Sequence, residues 1–136
     1  MSIVSLAPWV ASTVFFICVW LVTKKRGAYS DRVWMVPATV SVLFLAWSLW
    51  AVIAEGPLGF WTEHSRNLWG NQIWFDLLIA IGVAWFMIVP EAKRLNMNLM
   101  GWLTIIVCTG CIGLSAMLAR LLYLHQQAQA ADPQPI

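Results

Sequence analysis

The sequence predicts an all-α integral membrane protein, built as a bundle of four transmembrane helices. Hydrophobic residues make up 61% of the 136 residues and charged residues only 10%, against roughly 45–50% and about 25% in soluble globular proteins. A water-soluble chain of this size would need more polar surface than these residues supply. The apolar residues also fall into four long runs. Together these observations exclude a soluble domain.

The four runs extend over about Ile3–Thr23, Val33–Ala54, Ile73–Pro90 and Leu99–Leu124. A helix that rises about 1.5 Å per residue needs about 20 residues to cross a hydrocarbon core of ~30 Å. Since hydrocarbon offers no partners for backbone amides and carbonyls, runs of this length are expected to be helices. We therefore expect one transmembrane domain over residues 1–125 and a flexible polar tail over residues 126–136.

Basic residues in the connections predict the orientation. The loop at residues 24–32 carries four cations and the loop at residues 91–94 carries two, which are six of the eight Lys and Arg residues. Short loops rich in Lys and Arg stay in the cytoplasm. With four spans, both termini and the loop over residues 55–72 are then expected on the outer, periplasmic side. The predicted location is the bacterial inner (cytoplasmic) membrane, with multiple passes.

Charge and motifs exclude several kinds of site. The formal net charge is +2, which does not indicate a nucleic-acid binder. The two histidines, His64 and His125, lack the spacing that would place them on a shared ligand face, so no metal site is predicted. The chain has no glycine-rich phosphate loop, and its sequence identifies no cofactor.

Asp76 is the main candidate for a functional residue, because an ionisable group within a membrane span is costly. One helix face carries a residue at every fourth position: Gln72, Asp76, Ala80 and Ala84. Small residues let a neighbouring helix approach closely, so we expect Asp76 to point into the bundle. Two interpretations stay open: a structural carboxylate that complements the helix dipole and pairs with a cation, and a site for a proton or ligand.

Three further candidates lie towards the predicted outer side. Glu55 and Glu63 belong to the outer loop, and Arg120 lies near the end of the fourth run. A guanidinium binds a carboxylate through two hydrogen bonds, so Arg120 is expected to pair with Asp76 or Glu63. The alternative interpretation is a solvated rim of loop charges.

Cys108 and Cys111 form a C-x-x-C motif in the fourth run. A motif of this kind on a transmembrane helix resembles that of four-helix quinone-linked thiol oxidoreductases of the vitamin K epoxide reductase type. Those enzymes relay electrons through a second cysteine pair in an outer loop, whereas the remaining cysteine here is Cys18 in the first run. Packing of small residues is therefore the favoured interpretation, and redox activity stays an open alternative.

Tryptophan is abundant, with ten residues. Seven of them lie near predicted span ends, where the amphipathic indole prefers the headgroup layer. Trp47, Trp50 and Trp85 lie deeper in their spans. These three are candidates for an apolar ligand site, and helix packing is the alternative interpretation.

Several motifs of the second half occur together at a characteristic spacing: Phe75–Leu78 opening a span, Trp85–Phe86, the turn Glu91–Met97, and Leu121–Leu124 ending the last span. In these features residues 70–125 resemble the DUF2834 family of small bacterial membrane proteins. The biochemistry of that family is not settled, so the resemblance implies a fold and not an activity.

More remotely, the arrangement is similar to the integral-membrane terpene cyclases, whose aromatic-lined bundles use an acidic residue to protonate an isoprenoid. That similarity implies Asp76 or Glu55 as the acid. It also implies that the three deeper tryptophans face the carbocation through their π systems.

The expected function is that of a small accessory or assembly subunit, or a binder of an apolar partner such as a membrane protein, a lipid, an isoprenoid or a pigment. A chain with few polar interior groups offers apolar contact area and little chemistry. The expected partners are membrane lipid and another membrane protein or a second copy. Two alternatives stay open: a membrane enzyme acting on an isoprenoid or quinone, and a small oligomeric transporter in which Asp76 binds a proton or cation.

Overall fold

The computed structural model describes residues 3–24 and 32–131. These residues form six helices: α1 (Ile3–Lys24), α2 (Met35–Glu55), α3 (Gly59–Ser65), α4 (Leu68–Arg94), α5 (Leu99–Thr109) and α6 (Cys111–Ala131). The described residues contain no strand, which confirms the all-α prediction. The chain divides into two compact units, Met1–Ser30 and Asp31–Ile136. The single transmembrane domain over residues 1–125 stays a prediction.

The first three predicted runs correspond to α1, α2 and α4. Of these, α2 and α4 are long and apolar enough to cross a membrane. The basic loop that predicts the orientation lies largely outside the described residues, as do residues 132–136 of the predicted tail. Residues 126–131 belong to α6 instead of a flexible tail.

The first unit contains α1, whose apolar side chains are largely exposed. At its carboxyl end Lys24 Nζ lies 4.2 Å from the centroid of the Trp20 ring. A cation there interacts favourably both with the aromatic face and with the helix dipole.

The core of the second unit is small. Ala92 on α4, Ile106 on α5, and Met117 and Leu121 on α6 are buried in mutual contact. Side chains three and four residues apart on α4 pack against this cluster: Ile81, Trp85 and Ile88. That spacing is the one by which an amphipathic helix presents a single face to its neighbours.

Local signals explain where α4 begins and ends. The side chain of Asn67 accepts a hydrogen bond from the Gly70 amide at 2.8 Å, a typical helix N-cap. At the carboxyl end the Met97 amide donates to the Ala92 carbonyl at 2.9 Å, and Asn96 adopts the left-handed conformation with φ +54°. This is the Schellman arrangement, which turns the chain sharply after a helix.

The main difference from the predicted fold concerns the run Leu99–Leu124, which is divided into α5 and α6 at Gly110. The backbone of Gly110 has φ +60° and ψ −128°, a conformation that residues with a Cβ rarely adopt. In a continuous helix Ile106 and Leu121 would lie about 22 Å apart. They share one buried cluster instead, so α5 and α6 form a hairpin.

Close backbone approach holds this hairpin together. A Cβ on Gly113 would lie 2.7 Å from Thr109 Oγ1 and 2.9 Å from Ile105 Cγ2, so only glycine fits there. The Gly113 amide donates a hydrogen bond to the same Thr109 hydroxyl at 3.1 Å.

Helix α2 packs against α6 in the antiparallel direction. The Ser41 hydroxyl donates to the carbonyl oxygen of Ile112 at 2.9 Å. Trp34, just before α2, contacts Tyr123 edge to face with the ring centroids 5.4 Å apart. The start of α2 and the ends of α4 and α6 therefore lie at one end of the second unit, and α3 lies at the other.

Candidate functional site

A polar cluster joins the ends of α4 and α6. Arg94 donates two hydrogen bonds to Glu91, from Nη2 to Oε1 at 2.6 Å and from Nε to Oε2 at 2.9 Å. His125 Nδ1 lies 2.9 Å from the same Oε1 of Glu91. On the far side of the imidazole ring, Gln129 Nε2 lies 3.0 Å from His125 Nε2.

The contacts of His125 fit one tautomer of its neutral ring. A side-chain amide nitrogen only donates, so Nε2 accepts from Gln129, and an ionised carboxylate only accepts, so Nδ1 donates to Glu91. The neutral ring with its proton on Nδ1 satisfies both contacts at once. Arg94 Nη2, at 3.5 Å from Nδ1, then faces another donor and adds no hydrogen bond in this tautomer.

Electrostatics favour the ionised form of Glu91. Hydrogen bonding from Arg94 is the main cause that holds the pKa of the Glu91 carboxyl below its ordinary value; desolvation opposes this shift and His125 adds to it. Glu91 follows the apolar run of α4, which ends at Pro90, so the cluster lies at the polar end of the helix. Because the Arg94 side chain is 65% exposed, water screens the pair and limits its strength.

With Leu99–Leu124 as one span, the sequence predicts Glu91 and His125 on opposite sides of the membrane. The hairpin reverses the chain at Gly110 and brings the two side chains into contact. The sequence signal for this reversal is Gly110 itself. A glycine inside a helical pattern lowers helix stability by about 1 kcal/mol relative to alanine and often marks a helix boundary.

Asp76 lies outside this cluster and does not point inward. Its side chain is exposed, and within residues 3–24 and 32–131 it makes no hydrogen bond or ion pair. The inward face of α4 is formed by Ile81, Trp85 and Ile88. At about 100° per residue Asp76 is turned about 150° away from that face. The expected inward position of Asp76 is therefore not found.

The predicted pairing of Arg120 is also not found. Its guanidinium lies 5.7 Å from the Tyr123 ring, at the end of the unit where α6 meets the start of α2. Asp76 lies in the first third of α4, towards the other end. Glu63 pairs with Arg66 instead, at 3.4 Å. Glu55 is exposed, without an ion pair in the described part of the chain.

The three deeper tryptophans have different surroundings. Trp47 and Trp50 contact each other edge to face with centroids 5.0 Å apart, and they are 39% and 46% exposed. Trp85 packs against the buried cluster around Met117. Packing is thus the observed role of Trp85, and a ligand role for the exposed pair stays a prediction.

The cysteines and metal-ligating residues form no assembled centre in the described ranges. Cys108 and Cys111 are free thiols on opposite sides of the Gly110 turn. No group of three or more His, Cys, Asp and Glu side chains there is placed to hold a metal ion. Two open grooves lie along α1, one bordered by Phe16 and Trp20 and the other by Trp9 and Val14. Neither groove is lined by a candidate functional residue.

Comparison with known proteins identifies one family. A family model described as "Protein of unknown function DUF2834" matches residues 44–127, which is 84 of the 136 residues. The matched stretch includes the polar cluster residues Glu91, Arg94 and His125. No curated protein and no solved structure matches the chain. The similarity to terpene cyclases therefore stays a hypothesis.

Proposed function

This chain belongs to the DUF2834 family, and from that premise we propose that it is a small integral membrane protein that acts as an accessory or assembly subunit. One observation carries the proposal. Helix α2 exposes most of its apolar side chains, and α4 exposes those that face away from Ile81, Trp85 and Ile88. In the most apolar 18 residues of each helix, 6% of the residues of α2 and none of α4 are fully buried. Monomeric soluble proteins rarely expose apolar patches beyond a few hundred Å².

The lengths of the helices support a transmembrane arrangement. With 21 and 27 residues, α2 and α4 are about 31 and 40 Å long, enough for a hydrocarbon core of ~30 Å. We propose that α1, with 22 residues, is a further span. The basic residues Lys93 and Arg94 favour a cytoplasmic position for the end of α4.

Helix α5 is too short to cross, because its 11 residues cover only about 16 Å. The α5–α6 hairpin therefore enters from the cytoplasmic side and returns to it. Backbone groups at this depth need partners within the protein. The Gly110 amide donates a hydrogen bond to the Ile106 carbonyl at 2.7 Å. The Ile112 carbonyl accepts a hydrogen bond from the Ser41 hydroxyl. We therefore propose that the end of α6 lies in the cytoplasm, whereas the sequence predicts the C-terminus on the outer side.

An assembly role is favoured over catalysis because the candidate ionisable groups do not converge. Among the described residues Asp76 and Glu55 lie apart from Arg120, and the one polar cluster joins helix ends. The exposed apolar faces, in contrast, are continuous along two helices. They suit contact with lipid and with another membrane protein.

Purification from the native membrane in a mild detergent tests the proposal. We expect a fixed membrane-protein partner at constant stoichiometry, identified by mass spectrometry. Substituting Phe86, which is 81% exposed on α4, by Ala should lower the amount of that partner. The matched control is Val107→Ala, which removes apolar surface that is 78% exposed on the short helix α5. A chain that purifies alone and turns over an isoprenoid or quinone would contradict the assembly role.

A further inference from the structure

Arg120 differs from Arg66 and Arg94 in its contacts. Arg66 is paired with Glu63 and Arg94 with Glu91. The side chain of Arg120 is exposed, and its guanidinium carbon lies 5.7 Å from the centroid of the Tyr123 ring. No carboxylate of the described residues lies within ion-pair distance of it.

The position of Arg120 along α6 gives its depth. It precedes His125 by five residues, or about 7–8 Å along the helix axis. His125 is level with Glu91, directly after the apolar run of α4. If the helices span the membrane as proposed, Arg120 lies just below this polar end, where a long cationic side chain extends to the headgroup layer.

The charges of the described residues in the second unit are segregated between its two ends. Among these residues, the end with Arg120 carries four cations and one anion: Arg32, Lys93, Arg94, Arg120 and Glu91. The α3 end carries three anions and one cation: Glu55, Glu63, Asp76 and Arg66. A basic end on the cytoplasmic side attracts the anionic lipids of that leaflet.

We propose that Arg120 binds the phosphate group of an anionic phospholipid in the cytoplasmic leaflet. The guanidinium is a planar fork that takes two phosphate oxygens, and it stacks on an aromatic ring at the same time. Tyr123 provides this ring and is itself held by its edge-to-face contact with Trp34. The lipid phosphate supplies an anion for Arg120, which no carboxylate of the described residues does. This inference rests on the proposed membrane location.

Lipid retention by the full-length protein tests the proposal. The protein is extracted from vesicles that contain phosphatidylcholine and phosphatidylglycerol, and native mass spectrometry counts the bound lipids. We expect wild type to retain phosphatidylglycerol selectively. Arg120→Gln should weaken this retention about fivefold, as expected for the loss of one basic group at the membrane surface. Arg120→Lys should give an intermediate value, because it keeps the charge and loses the fork.

Arg66→Gln is the matched control, because it removes an arginine at the opposite end and should leave retention unchanged. Equal retention by wild type and Arg120→Gln, or equal binding of both lipids by wild type, would overturn the proposal. Displacement of the lipid by inorganic phosphate would assign the site to free phosphate and overturn it too. Extraction of the protein from membranes by alkaline carbonate would refute the membrane location itself, a failure that is separate from the loss of lipid selectivity.

Discussion

The side chains at the two ends of the second unit differ in their contacts. Where α2 begins and α4 and α6 end, apolar residues are buried around Met117, and Glu91 forms hydrogen bonds to both Arg94 and His125. Where α3 joins α4, Leu68 and Trp69 are 88% and 78% exposed. The first end is stabilised by contacts within the chain. The second end leaves apolar side chains exposed, so the two ends should respond differently to substitution.

The largest expected effect concerns the side of the membrane on which α6 ends, since a labelling experiment gives an all-or-none result. In a background without the natural cysteines, Ala130→Cys should react with an impermeant thiol reagent from the same side as Lys93→Cys. Ser65→Cys, on α3, should react from the other side. If Ala130→Cys reacts from the same side as Ser65→Cys, the last apolar run is a continuous fourth span and the hairpin is refuted.

Removal of buried volume should destabilise the protein strongly at the packed end. Met117 is fully buried, so Met117→Ala should lower the free energy of unfolding by about 2–5 kcal/mol. Leu68→Ala removes an exposed side chain at the other end and should change it by less than about 0.5 kcal/mol. Denaturant unfolding in detergent micelles measures both. Equal effects would show that the two ends do not differ in packing.

The glycine that reverses the chain should tolerate substitution poorly. Because Gly110 has a positive φ, Gly110→Ala should cost about 1–3 kcal/mol of backbone strain. Gly82 is the control: it lies within α4 with no heavy atom within 4 Å of an added Cβ. Gly82→Ala should stabilise the helix by up to about 1 kcal/mol. The same unfolding assay gives both values, and a neutral Gly110→Ala would contradict the observed turn.

The Glu91 cluster should give a smaller, pH-dependent effect. Because hydrogen bonding from Arg94 lowers the pKa of Glu91 in the folded state, its contribution to stability is present above the ordinary pKa of a glutamate. That contribution is lost as the pH falls through the lowered value. Wild type should therefore lose stability on acidification over this range. Glu91→Gln should show a flatter pH profile in the same assay, and an unchanged profile would contradict a stabilising role for the cluster.

The smallest expected effect is that of Asp76→Asn, because Asp76 is exposed and has no partner in the described residues. The free energy of unfolding should not fall by more than about 0.5 kcal/mol, since the substitution removes an exposed charge that has no partner among the described residues. If the amount of co-purified partner or any transport activity falls while the folded yield stays normal, Asp76 acts on a ligand or partner. A strongly destabilised variant would show that the carboxylate is paired in the membrane.

The site was harder to predict from sequence than the helices, for a physical reason visible at Asp76. The periodicity of Gln72, Asp76, Ala80 and Ala84 correctly places them at helical spacing. Which face of α4 turns inward depends on the neighbours that pack on it. Here Ile81, Trp85 and Ile88 pack against the buried cluster that α5 and α6 help to form. Single-helix periodicity contains no information about those neighbours. The ion pair of Glu91 with Arg94 is local and was accessible from sequence, whereas its contact with His125 spans 34 positions.

The sequence by itself determined the all-helical fold, the approximate extent of α1, α2 and α4, and the membership of the family, because apolar runs and local motifs act over short distances along the chain. Tertiary structure decided that the last apolar run is a hairpin. A glycine in a long apolar run is compatible with a continuous helix as well as with a turn. The turn prevails here because Ile106, Met117 and Leu121 bury one another only when the chain reverses, and because Gly113 permits α5 and α6 to approach closely.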